Sequence, residues 1–161
     1  MSGDVSAFER LAAVEAIRCV KARYFRGRDT RDWELLGSAS TQAAIFDTRE
    51  ALGAAKPGED SHDPFRDEGY LVGRDVIVRT LSTLGSSATY MVHHGHMPEI
   101  EVKSAARASA VWAMDDRVEW PEGAPLRSLR GFGHYHDEYS CIDGEWLISF
   151  SRLTRLHVRA R

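Results

Sequence analysis

The chain changes hydrophobic period near its middle, from steps of three and four to alternation. In the first part Leu11, Val14, Ile17, Val20 and Tyr24 recur at helical steps, the stripe of a helix with one buried side. Asp4 or Ser6 is placed to cap its start, and Gly27 to stop it, with residues 27–32 as the turn. A short second helix begins at 33–36, and 43–47 reads as a short strand. Residues 49–69 are rich in Gly, Pro, Asp and Glu and lack periodicity, so they read as a long loop, either a lid or a plain surface excursion. Gly69 to Gly73 leads into a third helix from Arg74 to about Leu84, with Val76, Ile77, Leu81 and Leu84 inward.

The second half predicts four long strands, at 89–103, 106–120, 127–143 and 145–158. They are broken at Ser104-Ala105, at 121–125 and at Asp143-Gly144, the last a strong hairpin signal because both turn positions favour positive φ. Hairpin connections make the sheet antiparallel. Helices first and a strand meander afterwards predict an α+β fold, with the N-terminal helices covering one face of a curved sheet. A pocket is expected between that concave face and the helices.

Composition narrows the picture. With 161 residues, 43% hydrophobic and 28% charged, the chain suits one domain spanning 1–161. A formal net charge of −3 gives no basic footprint for nucleic acid. No apolar run nears the roughly 20 residues of a membrane-spanning helix, and the first residues lack the regions of a secretory signal. Cys19 and Cys141 lie far apart and form no metal-like pair, so both are expected reduced in a cytoplasmic protein.

Candidate chemistry centres on Tyr90–Ile100, which holds three of the seven histidines in four positions. Strand alternation turns His93 to one face and His94 with His96 to the other. A histidine facing a cavity is either an acid/base or a hydrogen-bonded structural group. On the second strand Ala108, Ala110, Trp112, Met114, Asp116, Val118 and Trp120 share a parity, which puts the Asp116 carboxylate on an apolar face where it needs a cationic or hydrogen-bonding neighbour. Arg152 and Arg155 interrupt the apolar last strand. On the third strand His134 and His136 oppose Tyr135, Asp137 and Tyr139, read as a polar outer face. His94 and His96 have the spacing of a two-histidine metal site, but no spacing supplies a third ligand, and no metal is expected.

The order of Ala22–Asp29, His93–Ile100, Trp112–Arg117 and Asp143–Trp146 resembles the SnoaL-like branch of the nuclear transport factor 2-like (cystatin-like) superfamily, over roughly Phe8 to Val158. The resemblance implies a cone-shaped α+β barrel, three helices around a curved sheet, with a ligand cavity at its open end and a homo-oligomer, dimer or trimer. Within it the motifs are most similar to those of bile-acid 7α-dehydratase and scytalone dehydratase. Carried over position by position, the likeness implies a catalytic set of Tyr24, Asp29, His93, Asp116 and Arg155. The long 49–69 segment and His94, His134 and His136 depart from that pattern.

The function this implies is a cofactor-independent lyase, eliminating a leaving group from a small hydrophobic alicyclic, steroid-like or polyketide-like molecule. His93 moves the proton, Asp29 or Asp116 orients its ring, Tyr24 stabilises an enolate and Arg155 anchors Asp116 or the substrate. Two other classes share the fold: a ketosteroid-isomerase-like isomerase or hydrolase, and an assembly module such as the β subunit of ring-hydroxylating dioxygenases.

Overall fold

The computed structural model describes residues 5–51 and 69–161. Most of the expected 49–69 loop, at 52–68, lies outside the described residues. The elements are α1 (Ala7–Thr30), α2 (Trp33–Ser38), β1 (Ser40–Asp47), β2 (Tyr70–Val72), α3 (Arg74–Ser86), β3 (Tyr90–Ser104), β4 (Arg107–Glu119), β5 (Ser128–Ile142) and β6 (Glu145–Ala160).

Ser6 caps α1 through a capping box. Its hydroxyl accepts from the Glu9 N–H at 3.3 Å, while the Glu9 carboxylate accepts from the Ser6 N–H at 2.9 Å. The buried side of the helix runs through Ala13, Ile17, Val20, Lys21, Tyr24 and Phe25. Leu11, expected on that stripe, is exposed. Six residues before Ile17, it sits about 120° around the helix from it.

Gly27 does not stop α1. The helix continues to Thr30 and ends at Arg31, whose backbone is left-handed at φ 58°. Gly27 serves instead as a contact point, because a Cβ there would stand 2.5 Å from the backbone N of Leu36 in α2. The extra turn carries Arg28 to the lining of a cavity and Asp29 to His93 on β3.

In α3, Ile77 and Leu81 are buried as expected, whereas Val76 and Leu84 are exposed. The six strands are ordered β2-β1-β6-β5-β4-β3 in one sheet. The four long strands lie where alternation put them, and the β5–β6 turn has both Asp143 (φ 51°) and Gly144 (φ 81°) left-handed. Two departures concern the first strands. β1 pairs with β6 in parallel, so the sheet is not wholly antiparallel. β2, expected only as a lead into α3, pairs with β1 as an edge strand. With β2 and β3 as free edges, the sheet curves without closing.

A buried polar network ties α1 to β4, β5 and β6. Asp137 accepts from Lys21 Nζ at 2.7 Å, Tyr139 Oη at 2.8 Å and Ser151 Oγ at 2.6 Å, and Tyr139 Oη accepts from Trp112 Nε1 at 3.1 Å. The Lys21 ammonium also lies 3.8 Å from the centre of the Tyr135 ring. Burial pushes the Lys21 pKa down, opposed by the Asp137 charge. Tyr135, Asp137 and Tyr139 therefore face inward, with His134 and His136 on the outer face.

Both cysteines are unpaired, Cys19 exposed and Cys141 half-buried. No described helix is long and apolar enough to cross a membrane.

Candidate active site

A cavity of about 510 Å³ lies between the concave face of the sheet and α3, at the end of α1. Phe46, Leu81, Met91, Val118 and Leu153 supply much of its apolar wall. Among the described residues four ionisable side chains reach that wall: His93, Asp116, Arg155 and Arg28. Alternation accounts for three of them. His93 and Asp116 are register partners across β3 and β4, and Arg155 follows the buried Ser151 and Leu153 on β6.

His93 is 3% exposed, buried on the face opposite His94 and His96. Its Nδ1 lies 2.6 Å from Asp29 Oδ1, and its backbone N–H donates to Asp29 Oδ2 at 3.0 Å. An ionised carboxylate only accepts hydrogen bonds, so the ring proton sits on Nδ1 and Nε2 keeps its lone pair. That Nε2 is buried with no hydrogen-bond partner among the described residues. Burial, and then the nearby Arg28 charge, hold the His93 pKa below its ordinary value, against the pull of Asp29 and Asp116. At neutral pH the ring is an uncharged base.

Asp116 is buried and gripped by Arg155 through two parallel bonds, Nη1 to Oδ1 at 3.0 Å and Nη2 to Oδ2 at 2.6 Å. Gly131 makes room for this fork. A Cβ there would collide with the Arg155 guanidinium and stand 2.6 Å from Asp116 Oδ1.

The five residues implied by the family likeness thus divide. His93, Asp116 and Arg155 line the cavity, and Asp29 sits behind His93 as the carboxylate that holds its ring. Tyr24 does not reach the wall. It is 5% exposed, packed edge-on to Phe25 and Tyr135, and its hydroxyl accepts from Arg28 Nη1 at 3.4 Å. Burial raises its pKa, opposed by the Arg28 charge. Arg152 points away from the cavity, toward the buried Asp47 at 3.3 Å.

Arg28 is the charged cavity-lining residue that the sequence reading did not single out. The signal was its position four residues after Tyr24, on the same side of α1. Ending the helix at Gly27 removed that relation. Arg28 makes no ion pair among the described residues, and its guanidinium faces the cavity from the helix end. The arrangement places a buried imidazole and two guanidinium groups on the lining of one largely apolar cavity.

Several solved structures share this fold. A candidate scytalone dehydratase from Novosphingobium aromaticivorans superposes with a TM-score of 0.76 at 18% identity, over 96% of this chain and 91% of that one. Hexachlorocyclohexane dehydrochlorinase LinA-type3 from Novosphingobium barchaimii gives 0.76 at 19% identity, over 97% and 94%. A protein of unknown function from Mycobacterium tuberculosis gives 0.72 at 18% identity, over 95% and 78%. The model of the SnoaL-like domain family matches residues 9–152, from the start of α1 into β6, and the chain belongs to that family.

Proposed function

We propose that the protein is a cofactor-independent lyase that eliminates water or another leaving group from a small, hydrophobic alicyclic, steroid-like or polyketide-like ketone. One observation carries the reading: His93, whose buried Nε2 has no hydrogen-bond partner among the described residues, lines a largely apolar cavity. Leaving such an atom unsatisfied costs about 1–3 kcal/mol unless something occupies the site. A substrate C–H bond directed at it would be the occupant.

In this mechanism His93 Nε2 removes a proton from carbon acidified by a carbonyl, directly or through a double bond. Asp29 fixes the ring and stabilises the imidazolium that forms, the role of an orienting carboxylate. The electrons of the C–H bond pass toward the carbonyl oxygen, and Arg28, backed by Tyr24, supplies hydrogen bonds to the developing oxyanion. As the double bond forms, the bond to the leaving group breaks. When that group is hydroxide, the proton on His93 returns to it as water and the ring is neutral again. Asp116, with both oxygens engaged, orients Arg155, whose remaining N–H donors face the departing group.

The same engagement argues against an isomerase in which a free pocket carboxylate carries the proton. The structural neighbours' names, a scytalone dehydratase and a dehydrochlorinase, fit the elimination class. The test is incubation with β-hydroxy ketones, 3-oxo-Δ4-7-hydroxysteroids and β-chloro ketones, followed by mass spectrometry. Loss of water or hydrogen chloride, abolished in His93→Ala, supports the proposal. Double-bond migration at constant mass would establish the isomerase instead.

A further inference from the structure

The outer face of β3 carries a second constellation, separated from the cavity by the sheet. His94 and His96 project from it with ring centres 5.9 Å apart. The residue opposite His94 on β4 is Asp115, while the residue opposite His96 is Ala113, too small to obstruct the ring. The Asp115 carboxylate lies between the two imidazoles, with Oδ1 2.6 Å from His96 Nε2 and Oδ2 3.4 Å from His94 Nδ1. One donor atom from each of the three residues lies within 4.8 Å of the others.

We propose that His94, His96 and Asp115 bind a divalent first-row transition cation of the zinc and nickel class. Zinc lies about 2.0–2.2 Å from imidazole nitrogen and carboxylate oxygen, which in a tetrahedral set puts donors roughly 3.4 Å apart. The separations here need only small side-chain rotations to meet that value. Two imidazoles and one carboxylate suit a borderline cation rather than magnesium or calcium, which take oxygen ligands. His94 and His96 are about half exposed, so solvent completes the coordination sphere. The third ligand that no spacing in the sequence supplies comes from strand register.

Placement suggests the consequence. His93 and Asp116 pair across β3 and β4 one step along from His94 and Asp115, and their side chains point to the opposite face. A cation held by all three outer ligands clamps the two strands in the register that lines up the catalytic side chains. The site is independent of the lyase proposal, since none of its three ligands touches the cavity.

The experiment uses the full chain, stripped with chelator and titrated with zinc chloride or nickel chloride by calorimetry and thermal melting. Wild type should bind one equivalent with micromolar affinity and gain about 5–10 °C in Tm at a hundredfold excess over Kd. His96→Ala and Asp115→Asn should each weaken binding at least about tenfold, with metal-free melts near wild type because the side chains are at the surface. His136→Ala, also on the outer face but remote from Asp115, should bind as wild type does. No heat and no Tm shift in wild type would overturn the proposal, as would binding unaffected by His96→Ala and Asp115→Asn.

Discussion

Asp29→Asn isolates what the carboxylate does for His93. In the native protein the 2.6 Å contact to Nδ1 joins an almost fully buried ring to a carboxylate that is only 24% exposed. Hydrogen bonds to charged groups in such settings contribute about 1.5–3 kcal/mol. Losing that stabilisation of the imidazolium should slow proton transfer roughly 10- to 150-fold. The loss grows toward about 10⁴-fold if the amide turns its NH₂ toward the ring and inverts the tautomer, as in serine proteases with the same change. The assay needs no substrate. Long-range ¹H–¹⁵N correlation spectra report which ring nitrogen of His93 carries the proton, and a pH titration reports when the second one arrives. Wild type should show a proton on Nδ1 and titrate below the ordinary histidine range. The Asp29→Asn variant should titrate lower still, because the raising influence of the carboxylate is gone. A wild-type ring protonated on Nε2, or an unchanged titration in the variant, would refute the assignment of Asp29 as the orienting group.

Other consequences can be checked on the same protein. Because the folded pKa of His93 lies below its unfolded value, the unfolded chain binds the extra proton between the two. The stability this histidine contributes is complete above about pH 6.5 and is lost as pH falls from there through the folded pKa, so Tm should fall in that window, and less in His93→Asn. Asp137→Ala should destabilise the fold by about 3–5 kcal/mol in urea, since it strands the buried Lys21 ammonium, and Lys21→Met added to it should recover part of the loss. A double variant no more stable than Asp137→Ala would count against that account. Gly131→Ala should cost about 1–3 kcal/mol by forcing the Asp116–Arg155 fork apart. That cost should shrink in an Arg155→Met background, and equal costs in both would place the strain elsewhere. Arg28→Met should lower kcat on any ketone substrate found in the panel more than it raises KM, because an oxyanion forms only as the proton leaves.

Strand alternation and helical period are local rules, and they carried the reading of the chain where only local rules are needed. They turned His93 away from His94 and His96, set Asp116 on the buried face of β4, and placed the Asp-Gly turn before β6. Four features lay beyond them. The parallel pairing of β1 with β6 joins residues about a hundred positions apart, and no short-range pattern encodes the direction of such a pair. The choice of Asp29 over Asp116 as partner of His93 depends on how far α1 runs before its end meets β3. That in turn rests on Gly27 packing against α2 rather than breaking the helix. The displacement of Tyr24 from the cavity wall by Arg28, and the meeting of Asp115 with His94 and His96, were likewise decided by packing and register. Sequence by itself determined which strand residues share a face, because that follows from the geometry of a few bonded neighbours, while at the helix positions Leu11, Val76 and Leu84 the expected burial did not hold. Only the tertiary structure decided which faces meet, because that depends on contacts between segments whose separation along the chain carries no signal.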